Sequence, residues 1–178
     1  MSEPVTFRSA SPDDIDEAIA IDDDACTLYE TAGLHLDIGP DHPFARAERA
    51  RWLQAAREGC VFLAVSPAGS AVGLLVLGLV DGLRYLDQLS VRRIAMRHGI
   101  GRSLLRRAIE WAASEALWLT TYSHVPWNRE FYVRAGFAVI PESCCPRKIA
   151  QILEEQRRWL PAPGERIAMR RIPCAAGA

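Results

Sequence analysis

Residues 91–105 constrain this chain more than any other stretch: Val91-Arg92-Arg93-Ile94-Ala95-Met96-Arg97-His98-Gly99-Ile100-Gly101-Arg102-Ser103-Leu104-Leu105. They read as the end of a strand, a cationic loop, a Gly-x-Gly turn and the start of an amphipathic helix. Glycine lets backbone N–H groups approach an anion closely, because no side chain stands in the way. The helix N-terminus adds its unsatisfied donors and the positive end of its dipole. A first helical turn ordinarily favours Asp or Glu, yet this one is flanked by Arg97, His98 and Arg102. Those cations oppose the dipole unless an external anion sits among them. The stretch is therefore expected to hold a phosphate-bearing ligand.

Two common phosphate motifs are excluded. A P-loop needs Gly-x-x-x-x-Gly-Lys-Ser/Thr, and no lysine stands here. A dinucleotide fingerprint needs Gly-x-Gly-x-x-Gly in a first βαβ unit. Here the third position is Leu104, and the motif lies past mid-chain.

The stretch resembles the GNAT N-acetyltransferases. Their signature is a strand ending in Leu-x-Val, then Gln/Arg-x-x-Gly-x-Gly/Ala, then a helix. Leu89-Ser90-Val91 and Gly99-Ile100-Gly101 match with that spacing. Met96 stands at the usual Gln/Arg position, with Arg97 one place later. A second segment, Trp127 to Phe137, is similar to the family's Asn-to-Gly-Phe segment in a shortened form. Asn128, Tyr132 and Gly136-Phe137 stand for its parts. The two motifs occur in order and about the right distance apart. The resemblance runs from Val5 to about Ile140.

Composition agrees. A chain of 178 residues makes one ordinary domain, and 49% hydrophobic residues suffice for a core. The single domain is expected over 1–178, with a core at about 5–141 and a C-terminal helix and strand at about 147–173. The net charge of -1 gives no bias toward polyanions, so no nucleic-acid partner is expected. Arg92, Arg93, Arg97 and Arg102 cluster at the turn instead. No apolar run has membrane-spanning length, so no membrane partner is expected. Met1-Ser2-Glu3-Pro4 has no basic region followed by an apolar one, so no signal peptide is expected. Five cysteines, with Cys144 and Cys145 adjacent, show neither metal nor disulfide spacing. A cytoplasmic setting without metal is the simplest expectation.

Along the chain, Val5 to Arg8 suits a strand. Ser11-Pro12-Asp13-Asp14 opens a helix that runs to about Glu30, with Ile15, Ala18, Ile19 and Asp22 on one side. A loop from Gly33 to Pro43 leads to a helix that ends at Gly59. Cys60 to Val65 and Val72 to Val80 are apolar strands. Asp81-Gly82 is a hairpin signal that returns the chain into Arg84 to Val91. A helix from Gly99 to about Glu115 has Ile100, Leu104, Leu105, Ala108, Ile109 and Ala112 at helical spacing. Leu117 to Tyr122 is a strand, followed by the Tyr132 helix and a strand at Phe137 to Ile140. A helix from Arg147 to Trp159 and a strand from Arg166 to Ile172 close the chain. The fold class expected is α/β (α+β): the GNAT acyl-CoA N-acyltransferase fold, a mixed, mostly antiparallel central sheet flanked by helices.

The resemblance implies an acetyl-CoA-dependent N-acetyltransferase with acetyl-CoA as cosubstrate. Such a transfer needs a polarised acyl carbonyl, a neutral amine and a protonated leaving thiolate. It implies that the backbone of Leu89, Ser90 and Val91 bonds the pantetheine arm, with the Leu89 amide near the acetyl oxygen. It places the pyrophosphate on Arg97, His98, Gly99, Ile100, Gly101, Arg102 and Ser103. Tyr132 is the acid expected at the thiolate, although a tyrosine there also suits core packing with a wet tip. Asn128 holds the pantetheine or caps its helix.

The base is read from the residues. Strand alternation puts Tyr85, Asp87, Leu89 and Val91 on one face. A carboxylate among apolar neighbours works in a pocket or is paired. Asp87 is therefore the first candidate, and an ion pair with Arg84 or Arg46 is the other reading. Its neighbour Gln88 stands where many relatives carry Glu. His124 is the second candidate. His35, His42, Asp37 and Asp41 form an acidic lip in the helix-to-helix loop, or are simply solvated. A small-molecule cationic amine is the favoured acceptor. A protein N-terminus or lysine as acceptor, an acetyl-CoA sensor module and a homodimer stay open.

Overall fold

The computed structural model describes residues 5–36 and 38–173. Its strands are β1 (Thr6–Ser9), β2 (Val61–Val65), β3 (Ala71–Val80), β4 (Leu83–Val91), β5 (Leu117–Tyr122), β6 (Ala138–Ile140) and β7 (Arg166–Arg171). Its helices are α1 (Ile15–Cys26), α2 (Pro43–Arg57), α3 (Ile100–Ala112), α4 (Arg129–Arg134) and α5 (Arg147–Trp159). The strands form one sheet in the order β1-β2-β3-β4-β5-β7-β6. β1 to β3 and β5 to β7 pair antiparallel, and β4 meets β5 in parallel. This is the mixed, mostly antiparallel sheet expected. The chain divides into two compact units: 1–78 with 87–108, and 79–86 with 109–178.

In the first unit the local signals work as read. Ser11 and Asp14 form a capping box ahead of α1, with Pro12 at the first helical position. The Arg8 guanidinium beside Asp14, with the Ser11 amide, holds that carboxyl below the usual range. The last turns before Gly33 are 3₁₀ rather than α, and Gly33 takes φ 73°. His42 caps α2 by accepting from the Phe44 amide at 3.1 Å. Helices α1 and α2 bury Ile15, Ala18, Ile21, Trp52, Ala55 and Ala56 against Leu63, Leu74 and Val76 of the sheet.

β3 is buried continuously from Ala71 to Leu77, since helices cover both faces. Gly73 faces α3. A Cβ there would lie 3.0 Å from the Ala64 Cβ and 3.1 Å from both Ile100 Cγ2 and Leu104 Cδ1. Sheet and helix meet where only hydrogen fits. Gly73→Ala is expected to cost about 1–3 kcal/mol through overpacking, read by urea denaturation. An unchanged midpoint would show that α3 shifts freely.

In the second unit, α5 buries Ile149 and Leu153 against Tyr85, Trp118 and Ala168. Asp81 and Gly82 both take positive φ, 52° and 79°, as the hairpin signal requires. The expected helix to Glu115 stops at Ala112. Ala113 turns left-handed at φ 53°, and Glu115 instead pairs with Arg84 at 2.9 Å.

Candidate active site

The Gly-x-Gly turn takes the conformation its glycines permit. Gly99 has φ 80°, in the left-handed region, and nothing lies within 4 Å of where its Cβ would be. The Ser103 amide donates to the Gly99 carbonyl at 3.0 Å. That bond opens the helical ladder, so the amides of Ile100, Gly101 and Arg102 have no intrahelical acceptor. Buried Ile100 and Leu104 anchor this end of α3, and no acidic residue occupies its first turn. The geometry is that of an anion site built from backbone donors.

The four arginines divide into two pairs. Arg92 donates to the carbonyls of Ala71 and Ala20. Arg93 reaches Thr27 with its side chain and Asp24 with its amide. Both fasten the loop to its surroundings. Arg97 and Arg102 are exposed and make no hydrogen bond or ion pair to the described residues. They remain for a ligand. His98 Nδ1 lies 3.4 Å from the Ala95 carbonyl.

Just before this turn, β4 departs from plain alternation. Asp87 pairs with Arg51 of α2, at 3.2 Å to Nε and 3.4 Å to Nη2. Gln88 and Ser90 donate from their side chains to Asp22 of α1, each at 2.5 Å. A flat strand would send residues 87 and 88 to opposite faces, yet both meet the α1–α2 layer. The Asp87 partner is thus neither Arg84 nor Arg46. Arg84 binds Glu115, and Arg46 binds Asp41.

Burial raises the Asp22 carboxyl above its usual range, against the hydrogen bonds from Ser90 and Gln88. Glu48 of α2 is pushed up to about 8, first by burial and then by the charges of Asp22 and Asp87. Burial also raises Asp23 and the Cys26 thiol. Sequence reasoning placed Asp22 only on a helix stripe and passed over Glu48 and Arg51. One signal was present: Glu48 sits four residues after Phe44 and four before Trp52, on the buried stripe of its helix.

His124, Asn128 and Tyr132 belong to the second unit, whereas Asp87, Leu89 to Val91 and the glycine turn belong to the first. His124 Nδ1 is 3.7 Å from Glu165, which also accepts from Ser123. Asn128 stands at the N-cap of α4 without a side-chain capping bond. Tyr132 is half-buried, its ring edge-on to Phe131 and Phe137 at 5.2 and 5.7 Å. Of the loop residues, Asp41 pairs with Arg46 at the surface, His42 is a helix cap, and Asp37 lies outside the described residues. Among the described residues, no His/Cys/Asp/Glu group is placed to hold a metal, and no helix is long and apolar enough to cross a membrane.

Solved structures share this architecture. The PaiA N-acetyltransferase of Thermoplasma acidophilum, in complex with coenzyme A, is 14% identical with a TM-score of 0.69, over 96% of this chain and all of that one. A histone acetyltransferase HPA2 and related acetyltransferase from Corynebacterium glutamicum is 19% identical with a TM-score of 0.63, over the whole of both chains. The N-acetylglutamate synthase of Neisseria gonorrhoeae, complexed with coenzyme A and N-acetyl-glutamate, gives 17% and 0.66, over 96% of this chain and 35% of that one. The sequence model of the acetyltransferase (GNAT) family matches residues 22–137, from the Asp22 carboxylate through the glycine turn to Phe137. The chain belongs to the GNAT acetyltransferase family.

Proposed function

We propose that this chain moves the acetyl group of acetyl-CoA to a primary amine of a small molecule, by direct attack in a ternary complex. One observation carries the reading. The turn at Gly99–Arg102 presents backbone donors and two arginines engaged with no described residue, and a pyrophosphate supplies the charge they need. The coenzyme A in two of the related structures is in keeping with this.

In this reading Leu89, Ser90 and Val91 bond the pantetheine arm through their backbone, and the Leu89 amide polarises the acetyl carbonyl. Ser90 contributes by its backbone, since its hydroxyl is given to Asp22. Asn128 steadies the arm, and Tyr132 supplies the proton to the departing thiolate. Asp87 and its neighbouring carboxylates favour a cationic acceptor over an anionic one.

The test is release of coenzyme A thiol from acetyl-CoA with simple primary amines, amino acids and peptides. Turnover with a primary alkylamine is expected. Tight acetyl-CoA binding without turnover on any amine would make the chain a binding module instead.

A further inference from the structure

Three carboxylates from three elements meet beside β4, and each is differently engaged. Asp22 Oδ1 accepts from both Gln88 and Ser90, and its Oδ2 accepts the Cys26 thiol at 3.7 Å. Asp87 gives both oxygens to Arg51. Glu48 accepts no hydrogen bond from the described residues. Among the described residues its ionic neighbour is the same Arg51, at 4.0 Å, and 27% of its side chain is open to solvent. A proton acceptor needs a free lone pair and a path to substrate. By that criterion Asp22 and Asp87 are committed and Glu48 is not.

The charges around it are lopsided. Asp22 and Asp23 of α1 and Asp87 of β4 face Glu48, and the described cation opposing them is Arg51. An arriving ammonium relieves that repulsion. Gln88, on the strand, cannot take a proton, and its amide is spent on orienting Asp22.

Building on the acetyltransferase reading, we propose that Glu48 takes the proton from the acceptor ammonium. Asp22 and Asp87 supply the field that draws the cation in, and the acceptor is a primary alkyl ammonium with no negative charge near its amine. The Glu48 carboxylate removes one proton from R–NH₃⁺. The freed R–NH₂ attacks the thioester carbon, the C–N bond forms, and the C–S bond breaks. The second nitrogen proton is lost as the thiolate gains one, giving amide and thiol. Glu48 then returns its proton to water.

Two experiments test this. With n-butylamine or 1,4-diaminobutane as acceptor, wild-type kcat/KM should rise with pH up to about 8, where Glu48 ionises. In Glu48→Gln it should fall about 10²-fold at neutral pH. The limb should then climb on toward the free amine near pH 10. Acetyl-CoA affinity, measured by calorimetry, should hold. Asp87→Asn should raise the amine KM and move the limb to lower pH, because one charge that raises Glu48 is gone. The reverse pattern, with the limb lost in Asp87→Asn and merely moved in Glu48→Gln, overturns the assignment. Glutamate as a faster acceptor than diaminobutane overturns the cationic class. No turnover on any amine overturns the acetyltransferase reading itself.

The second experiment needs no acceptor. A carboxyl raised from 4.5 to about 8 in the folded state binds more protons folded than unfolded. Its stabilising contribution is full below pH 4.5 and is lost as pH rises through 8. Glu48→Gln should therefore gain Tm relative to wild type at pH 9 and not at pH 5. A difference that does not change with pH overturns the proposal whatever the activity.

Discussion

Gly101→Asp is expected to abolish acetyl-CoA binding and leave the fold standing. The carboxylate would enter the first turn of α3, where the amides of Ile100, Gly101 and Arg102 have no intrahelical acceptor. A carboxylate there suits the helix dipole, so the free protein should melt at the wild-type temperature or slightly above. The same charge would sit where a pyrophosphate must. Two like charges about 4 Å apart repel by roughly 4 kcal/mol at an effective dielectric of 20, on the order of a thousandfold in Kd. Gly101 is a better probe than Gly99, whose φ of 80° would add backbone strain to any side chain. Calorimetry with acetyl-CoA, beside a thermal melt of the free protein, separates the two effects. Wild-type affinity in a folded mutant would remove the pyrophosphate from this turn.

The parts legible in sequence were those whose cause is local. Gly99 announces its turn because only glycine accepts φ 80° at no cost, and Asp81-Gly82 announces its hairpin for the same kind of reason. Ser11 through Asp14 spell a capping box within four residues. Helix α5 runs from Arg147 to Trp159, ahead of the break at Pro161-Ala162-Pro163-Gly164. The ends were less legible where one residue decides. Nothing in the composition of Ala112-Ala113-Ser114-Glu115 says that Ala113 turns left-handed and leaves Glu115 for Arg84.

Partner choice was the part least visible. Asp22 meets Gln88 and Ser90 across 66 and 68 residues, and Asp87 meets Arg51 across 36. Such pairings follow from how helices lie on the sheet, which periodicity does not encode. Arg92 and Arg93 looked like ligand-binding cations beside Arg97 and Arg102, because charge in a sequence carries no direction. Their hydrogen bonds to Ala71, Ala20 and Thr27 show fastening instead. Alternation likewise assigned Asp87 and Gln88 to opposite faces, and the strand's departure from alternation brings both to the α1–α2 layer.

Tyr132→Phe is expected to lower turnover about 10²-fold with little change in acetyl-CoA affinity. The substitution removes a hydroxyl and keeps the ring, so the edge-on contacts with Phe131 and Phe137 survive. Stability should change by no more than the roughly 1 kcal/mol of one hydrogen bond. Tyr132 is half-buried rather than sealed in the core. A thiolate leaves more readily when a proton arrives as the C–S bond breaks, and a phenol with pKa near 10 holds its proton at neutral pH until that moment. The loss should therefore lie in kcat, with chemistry limiting in single-turnover measurements. An acetyl donor whose leaving group is stable as an anion, such as a nitrophenyl thioester, should narrow the gap between mutant and wild type. A uniform loss with every donor, matched by a lower melting temperature, would assign Tyr132 to packing against Phe131 and Phe137 alone.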